Sequence, residues 1–273
     1  MNQEQIQKAE AFRKLHHSGK ILVLLNAWDA GSARIFELAG SPAVATTSSG
    51  LAFSNGYPDG QKITRERLFD AVRRITRVVK IPLTVDLEMG YGKNASEVRE
   101  TVRAIAEAGG IGMNIEDGME SPDLLADKIK GIRAYASESG LPMFVNARTD
   151  VYLRGIGENE TRFDETMRRI KLYAAAGADS AFVPGLVDLP TITRIAKESP
   201  LPLNVMLSRA LPVVADLQAA GVARLSIGGA AALAAMSLTR RIAQEMLSHG
   251  TYETIMAAAP IPHPEAMKMF PAE

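Results

Sequence analysis

Two carboxylates two residues apart, Asp86 and Glu88, close the apolar run PLTVDLE, and a Gly-Tyr-Gly break follows at 90–92. The run IGMNIED carries Asn114 and Glu116, and the run MFVNARTD carries Asn146, Arg148 and Asp150. Residues spaced by two share one face of a strand, so each set points one way. For Asp86 and Glu88 alone, a solvated strand end is the plainer reading. Glu116 on the next run changes it, because crowded acids repel and are costly to desolvate, and a divalent cation relieves both penalties. With oxygen donors, no cysteine and no histidine cluster, the ion expected is Mg2+ or Mn2+ rather than Zn2+. Arg148 either pairs with Asp150 or a neighbouring acid, or offers its fork to a substrate carboxylate or phosphate. The Ser-Ser-Gly turn at 48–50 can present backbone N–H groups to an anion. The histidines (His16, His17, His249, His263) lie near the termini and end no strand, which argues against a histidine base.

Something must bring these runs together. Eight short apolar runs are expected strands: 21–28, 43–49, 81–88, 111–117, 143–149, 179–184, 201–206 and 222–229. Helical patterns such as SEVRETVRAIAEAG and DETMRRIKLYAAAG lie between them and end in Ala-Gly or Ser-Gly stops. Strands alternating with helices imply right-handed βαβ units, and eight units fit an α/β fold of the (β/α)8 barrel type. A doubly wound open sheet fits eight even units less well. The expectation is one barrel domain, 1–273, with an extra helix before the first strand. In such barrels chemistry sits at the C-terminal ends of the strands. The polar residues above sit at those ends, with Asn26 and Trp28 on the first strand and Asn204 on the seventh, while strand entrances such as ILVLL are apolar.

Bulk properties exclude several classes. Lys+Arg and Asp+Glu balance at 31 each in 273 residues, so no global field favours nucleic acid or an anionic membrane. The absence of cysteine removes disulfides, thiolate metal sites and a cysteine acid or nucleophile. The polar N-terminus has no signal-peptide core, and no stretch approaches the roughly 20 apolar residues of a membrane span. A cytoplasmic location is expected.

Taken in order, SSGLAFSNGYPD, DLEMGYG, NIEDG, VNARTD and PLNVM resemble the isocitrate lyase/phosphoenolpyruvate mutase superfamily over roughly residues 20–240. The resemblance implies a barrel that uses Mg2+ to hold a 2-oxo acid and its enolate. It assigns Asp86, Glu88, Glu116 and Asp59 to the metal, and Ser49, Gly50, Arg148 and Asn204 to the substrate; Leu51, next in the turn, and Trp28, at the end of the first strand, are expected to contact the substrate as well. Arg148, Glu116 and Tyr91 are the expected catalytic residues. The chain also departs from the family pattern. Lyases carry a KKCGH loop whose cysteine protonates the enolate, whereas here NIEDG runs into MESPDLLADKIKGI. The longer gating loop of the mutases is missing too, and Gly185 stands where lyases have a glutamate. Decarboxylation asks least of a missing acid. Retro-aldol cleavage needs a base, for which Tyr57, Tyr91 and Glu88 are available and Tyr91 is best placed. The expected activity is a Mg2+-dependent lyase or decarboxylase of a small 2-oxo or 2-hydroxy dicarboxylic acid. The alternatives are C–P or P–O chemistry on phosphoenolpyruvate or phosphonopyruvate, and a barrel that binds a metabolite without turnover.

The segment AALAAMSLTRRIAQEMLSHG at 230–249 offers more apolar surface than one buried stripe needs, and TYETIMAAAPIP follows it. The resemblance implies an eighth helix exchanged between subunits. A homodimer or homotetramer with 230–273 in its interface is expected, with a small carboxylate as the only other partner.

Overall fold

The eight expected strands form, each within its run. The computed structural model describes residues 3–270. The strands are β1 (Leu22–Ala27), β2 (Val44–Thr46), β3 (Leu83–Asp86), β4 (Gly112–Glu116), β5 (Phe144–Arg148), β6 (Ser180–Phe182), β7 (Leu203–Met206) and β8 (Arg224–Ser226). All neighbours are parallel and β8 pairs back onto β1, closing the barrel. Before β1 comes α1 (Gln3–Leu15), the expected extra helix. Between strands lie α2 (Ala30–Leu38), α3 (Ser48–Ser54), α4 (Arg65–Val78), α5 (Ala95–Glu107), α6 (Pro122–Ser139), α7 (Arg162–Ala176), α8 (Leu189–Glu198) and α9 (Val214–Ala219). After β8 follow α10 (Ala230–His249), α11 (Glu253–Ala257) and α12 (His263–Met269).

The helices hold the barrel through one apolar stripe each. On α4 the buried residues are Leu68, Val72, Ile75 and Val78, spaced by three or four. Each buries a side chain worth about 1.5–3 kcal/mol against the strands. Caps set the ends: Ser121 accepts the Asp123 N–H at the start of α6, Pro122 follows at the first helical position, and Gly140 stops the helix at φ 70. The Ala-Gly stop of α7 closes at Gly177, φ 104, where a side chain is strained.

Strand register carries residues from the mouth into the barrel. Glu116 pairs with Arg148, Arg148 with Phe182, Phe182 with Asn204 and Asn204 with Arg224. A second row runs Asp86, Asn114, Asn146 and Ser180. The shear of the barrel tilts these rows, so Arg224 ends fully buried while Arg148 stays near the mouth. Branched aliphatic side chains usually fill such an interior. Here it holds asparagines, serines and an arginine instead. At the other end, Phe12 and His16, on and just after α1, pack on Phe144 with ring centroids 5.0 and 4.3 Å away.

The helices after β8 bury little. Among the 20 residues of α10 only Ala232 is buried, while Leu233, Met236 and Leu247 are exposed, the last at 88%. Among the described residues, no helix is long and apolar enough to cross a membrane.

Candidate active site

Asp86 is the last residue of β3, at the C-terminal end of the barrel. The Ser48 N–H donates to its Oδ2 at 3.1 Å, and its own N–H donates to Thr46 Oγ1 at 2.8 Å. Its Oδ1 is buried with no hydrogen-bond partner. An orphaned carboxylate oxygen is costly unless something positive meets it. Beside it, Glu88 accepts the Gln61 N–H at 2.7 Å and the Tyr91 hydroxyl at 3.2 Å. Burial pushes the Glu88 carboxyl up to about 7, and the charges of Asp86 and Asp59 add to it. Glu116 is pushed up to about 8, chiefly by burial, with Arg148 pulling it down and Asp86, Asp150 and Glu88 pushing it up.

Arg148 spans the cluster. Its Nη1 lies 2.6 Å from Glu116 Oε2, a close ion pair without the alignment of a hydrogen bond. Its Nε and Nη2 donate to the two oxygens of Asp150 at 2.6 and 3.1 Å. Burial works against the Arg148 cation, but Glu116 and Asp150 outweigh it and raise its pKa. The expected choice between an ion pair and a substrate fork thus begins with the ion pair. Since Arg has five N–H donors, some remain for a ligand.

The loop carrying Glu88 is strained. Glu88, Tyr91 and Gln61 adopt φ of 49, 52 and 56, a region that non-glycine residues occupy at some cost. They hold one another, because Tyr91 N–H donates to Gln61 Oε1 at 2.7 Å. Gly90 turns between them at φ 97, where a Cβ would meet Val98 Cγ2 at 2.8 Å. The DLEMGYG run therefore works as a strand end followed by a stiff clamp for Glu88.

Other expected residues divide. Ser49 and Gly50 lie in the first turn of α3, whose first N–H groups have no helical partner. Gly50 has no room for a side chain, since a Cβ would sit 2.7 Å from both Thr47 Cγ2 and Trp28 Cβ. Leu51, next in the turn, has a buried side chain, and its N–H donates to Thr47 O at 3.0 Å. The Tyr91 hydroxyl donates to Glu88, and burial with the neighbouring Glu88 charge raises its phenol pKa. Trp28 packs edge-on to Phe36 and lines a groove beneath α10 with Phe53 and Met236, so its ring contacts are with these rather than the acids. Asp59 is exposed on the loop between α3 and α4 and reaches the cluster through its charge on Glu88. Asn204 is buried, with Nδ2 unpaired. Among the described residues, no three Asp, Glu or His side chains form a ready metal cage. Mg2+ needs none, because it keeps several waters and takes one or two carboxylates plus substrate oxygens. Asp86 Oδ1 with Glu88 and Glu116 at hand fits that donor set.

Three features escaped the sequence reading. Gln61 is one, and Arg224 on β8 is another, since a strand inside an apolar run gives no sign of an arginine turned into the barrel. The third is the role of Asp117, a residue within the NIEDG motif: it accepts from Tyr173, Arg169 and the Asp150 N–H at 2.6–2.9 Å and so fixes the loops behind Arg148. The connection from β4 to α6 has only residues 117–121, and the buried Lys128 ties it down by donating to Glu120 and to Met89 O. Gly185, at φ 81, has Leu153 backbone atoms 2.7 Å from where a Cβ would stand. The place of the lyase glutamate is thus filled by main chain.

Relatives and solved structures place the chain in a family. An oxaloacetate decarboxylase of Bradyrhizobium sp. (strain BTAi1) is 31% identical over 80% of this chain and 73% of that protein. A Burkholderia cenocepacia J2315 protein, described as a candidate lyase/mutase, superposes with a TM-score of 0.90 at 35% identity, covering 99% of this chain and 98% of that one. A phosphonopyruvate hydrolase in complex with oxalate and Mg2+ superposes with a TM-score of 0.82 at 25% identity, covering 96% and 94%. The phosphoenolpyruvate phosphomutase family model matches residues 12–247. The chain therefore belongs to the phosphoenolpyruvate phosphomutase family, in the isocitrate lyase/phosphoenolpyruvate mutase superfamily of lyases and mutases that act on small carboxylates.

Proposed function

We propose that this enzyme is a Mg2+-dependent carbon–carbon lyase of small 2-oxo dicarboxylic acids, with decarboxylation as its reaction. The observation that carries the reading is the acid cluster, in which Asp86 keeps an unpaired buried oxygen and Glu88 and Glu116 are pushed up to about 7 and 8. Asp86, with Glu88 and Glu116, would hold the ion, Asp59 adding charge from the rim. Bound Mg2+ supplies electrophilic stabilisation of the negative charge that develops on the 2-oxo oxygen as the bond beside it breaks. The first-turn amides of Ser49 and Gly50 and the remaining N–H donors of Arg148 orient the substrate carboxylate. Tyr91 fixes Glu88 through its hydroxyl.

The short β4–α6 connection supports decarboxylation over aldol-type cleavage. With five residues pinned by Lys128, it brings no proton donor over the mouth, and loss of carbon dioxide needs none at the leaving group. The resulting carbanion equivalent takes its proton from water. The relationship to an oxaloacetate decarboxylase supports the same choice. C–P chemistry is the second reading, supported by the relationship to a phosphonopyruvate hydrolase. The test is a panel of oxaloacetate, a methylmalate-type acid and phosphonopyruvate, each with Mg2+ and coupled detection of pyruvate. Pyruvate from oxaloacetate alone is the expected outcome. Phosphate released with pyruvate from phosphonopyruvate favours the second reading, and no product from any of them overturns both.

A further inference from the structure

Arg224 is an arginine with no carboxylate partner, fully buried inside a barrel whose core is usually aliphatic. Burial pushes its guanidinium down to about 9, and only the charge of Asp86 works in its favour, so it stays a cation at neutral pH. Its Nε donates to Ser226 Oγ at 2.9 Å and its Nη2 to Asn114 Oδ1 at 3.2 Å, while Nη1 has no partner. Arginine only donates. Ser226 therefore spends an acceptor lone pair on Arg224, and its single hydrogen is free for Asn204 Oδ1, 3.2 Å away. An amide whose oxygen faces Ser226 must turn its Nδ2 the other way, where that donor is buried and unpaired. Asn204 stands in the register row that runs from Glu116 and Arg148 through Phe182.

We propose that Arg224 and Ser226 are positioning residues that lock the Asn204 carboxamide with its Nδ2 donor free for an acceptor oxygen of the substrate. This rests on the reading of the mouth as a site for small carboxylates. It deepens that reading, because a fixed donor selects a carboxylate or carbonyl oxygen and rejects a hydroxyl hydrogen or an ammonium group at the same point. Reversing the amide would present an acceptor and repel a carboxylate. A chain needing only a packed core gains nothing from the arrangement, since replacing buried charges by apolar groups of similar volume is often neutral or stabilising.

The experiment is calorimetric titration of oxalate, a planar analogue of the pyruvate enolate, in the presence of Mg2+, with a melting curve for each variant. Ser226→Ala is expected to weaken oxalate binding about tenfold, the equivalent of one lost oriented hydrogen bond. Ser226→Thr keeps the hydroxyl and returns the affinity to within about twofold of the parent. Arg224→Met weakens binding similarly, without a lower melting temperature. Unchanged affinity in Ser226→Ala overturns the relay, as does an Arg224→Met variant that binds oxalate normally. If the parent binds no oxalate, the reading of the site falls, and the relay is judged on the Asn204 side-chain NH2 resonances of the ligand-free protein. Ser226→Ala must then shift those resonances and Ser226→Thr restore them; resonances unmoved by Ser226→Ala overturn it.

Discussion

Arg148→Lys separates charge from geometry at the mouth. The ammonium keeps one positive charge near Glu116 but cannot give two parallel hydrogen bonds to Asp150. Asp150 retains Arg154, whose Nε donates to it at 2.8 Å, so the fold survives. The expected outcome is an unchanged melting temperature and a KM raised at least about tenfold, or 1.4 kcal/mol; unchanged kinetics would make Arg148 a structural residue only. Tyr91→Phe asks a different question. Loss of one 3.2 Å hydrogen bond to Glu88 is expected to lower kcat by about tenfold or less. A drop of 100-fold or more is the signature of general acid–base catalysis and would mark Tyr91 as the base.

Helices, strands and loops decide which of these residues meet. Gly185 belongs to the loop after β6, at φ 81 and against the Leu153 backbone. Gly185→Ala is expected to destabilise the fold by about 2 kcal/mol or more in denaturant melts, since neither the dihedral nor the neighbouring main chain can yield cheaply. A variant as stable as the parent would show that this loop moves freely. The strands were legible in the sequence because their runs are short and apolar and their polar ends repeat every second residue, as in Asp86 and Glu88. The loop clamp was not, because the Gln61–Glu88–Tyr91 contact joins two connections about 30 residues apart. The Leu51 amide contact with Thr47 O was not legible either, because a motif match carries no hydrogen-bond partner.

At the scale of the molecule, acidity and assembly carry predictions. His16 is buried against Phe12 and Phe144, with its Nδ1 near Phe12 O and its Nε2 unpaired. Burial, with Arg224, His17 and Arg13 nearby, pushes its pKa from 6.5 down to about 3. Between those values the unfolded chain binds a proton that the folded chain refuses, so stability falls as pH drops from about 6.5 toward 3, by up to about 1.4 kcal/mol per pH unit from this group. Urea melts at pH 7 and 5 are expected to show a smaller loss in His16→Leu than in the parent; equal losses would contradict it. For assembly, the exposed Leu233, Met236 and Leu247 of α10 and the apolar groove of about 470 Å³ beside it form surface that a monomer leaves in water. A homodimer or tetramer is expected, with the segment from about 230 onward packed on a neighbouring barrel as an exchanged element. Light scattering giving the 29.4 kDa monomer mass at micromolar concentration contradicts that assembly. Asp86, beside two acids shifted toward neutral pH, is the residue proposed to hold a divalent ion at the barrel mouth. That role is tested most directly by electron paramagnetic resonance titration of Mn2+ into the parent and Asp86→Asn. One Mn2+ per parent chain, displaced by Mg2+, with affinity at least about 100-fold lower in Asp86→Asn, is the predicted result. Equal Mn2+ binding by the two proteins, or none by the parent, would contradict it.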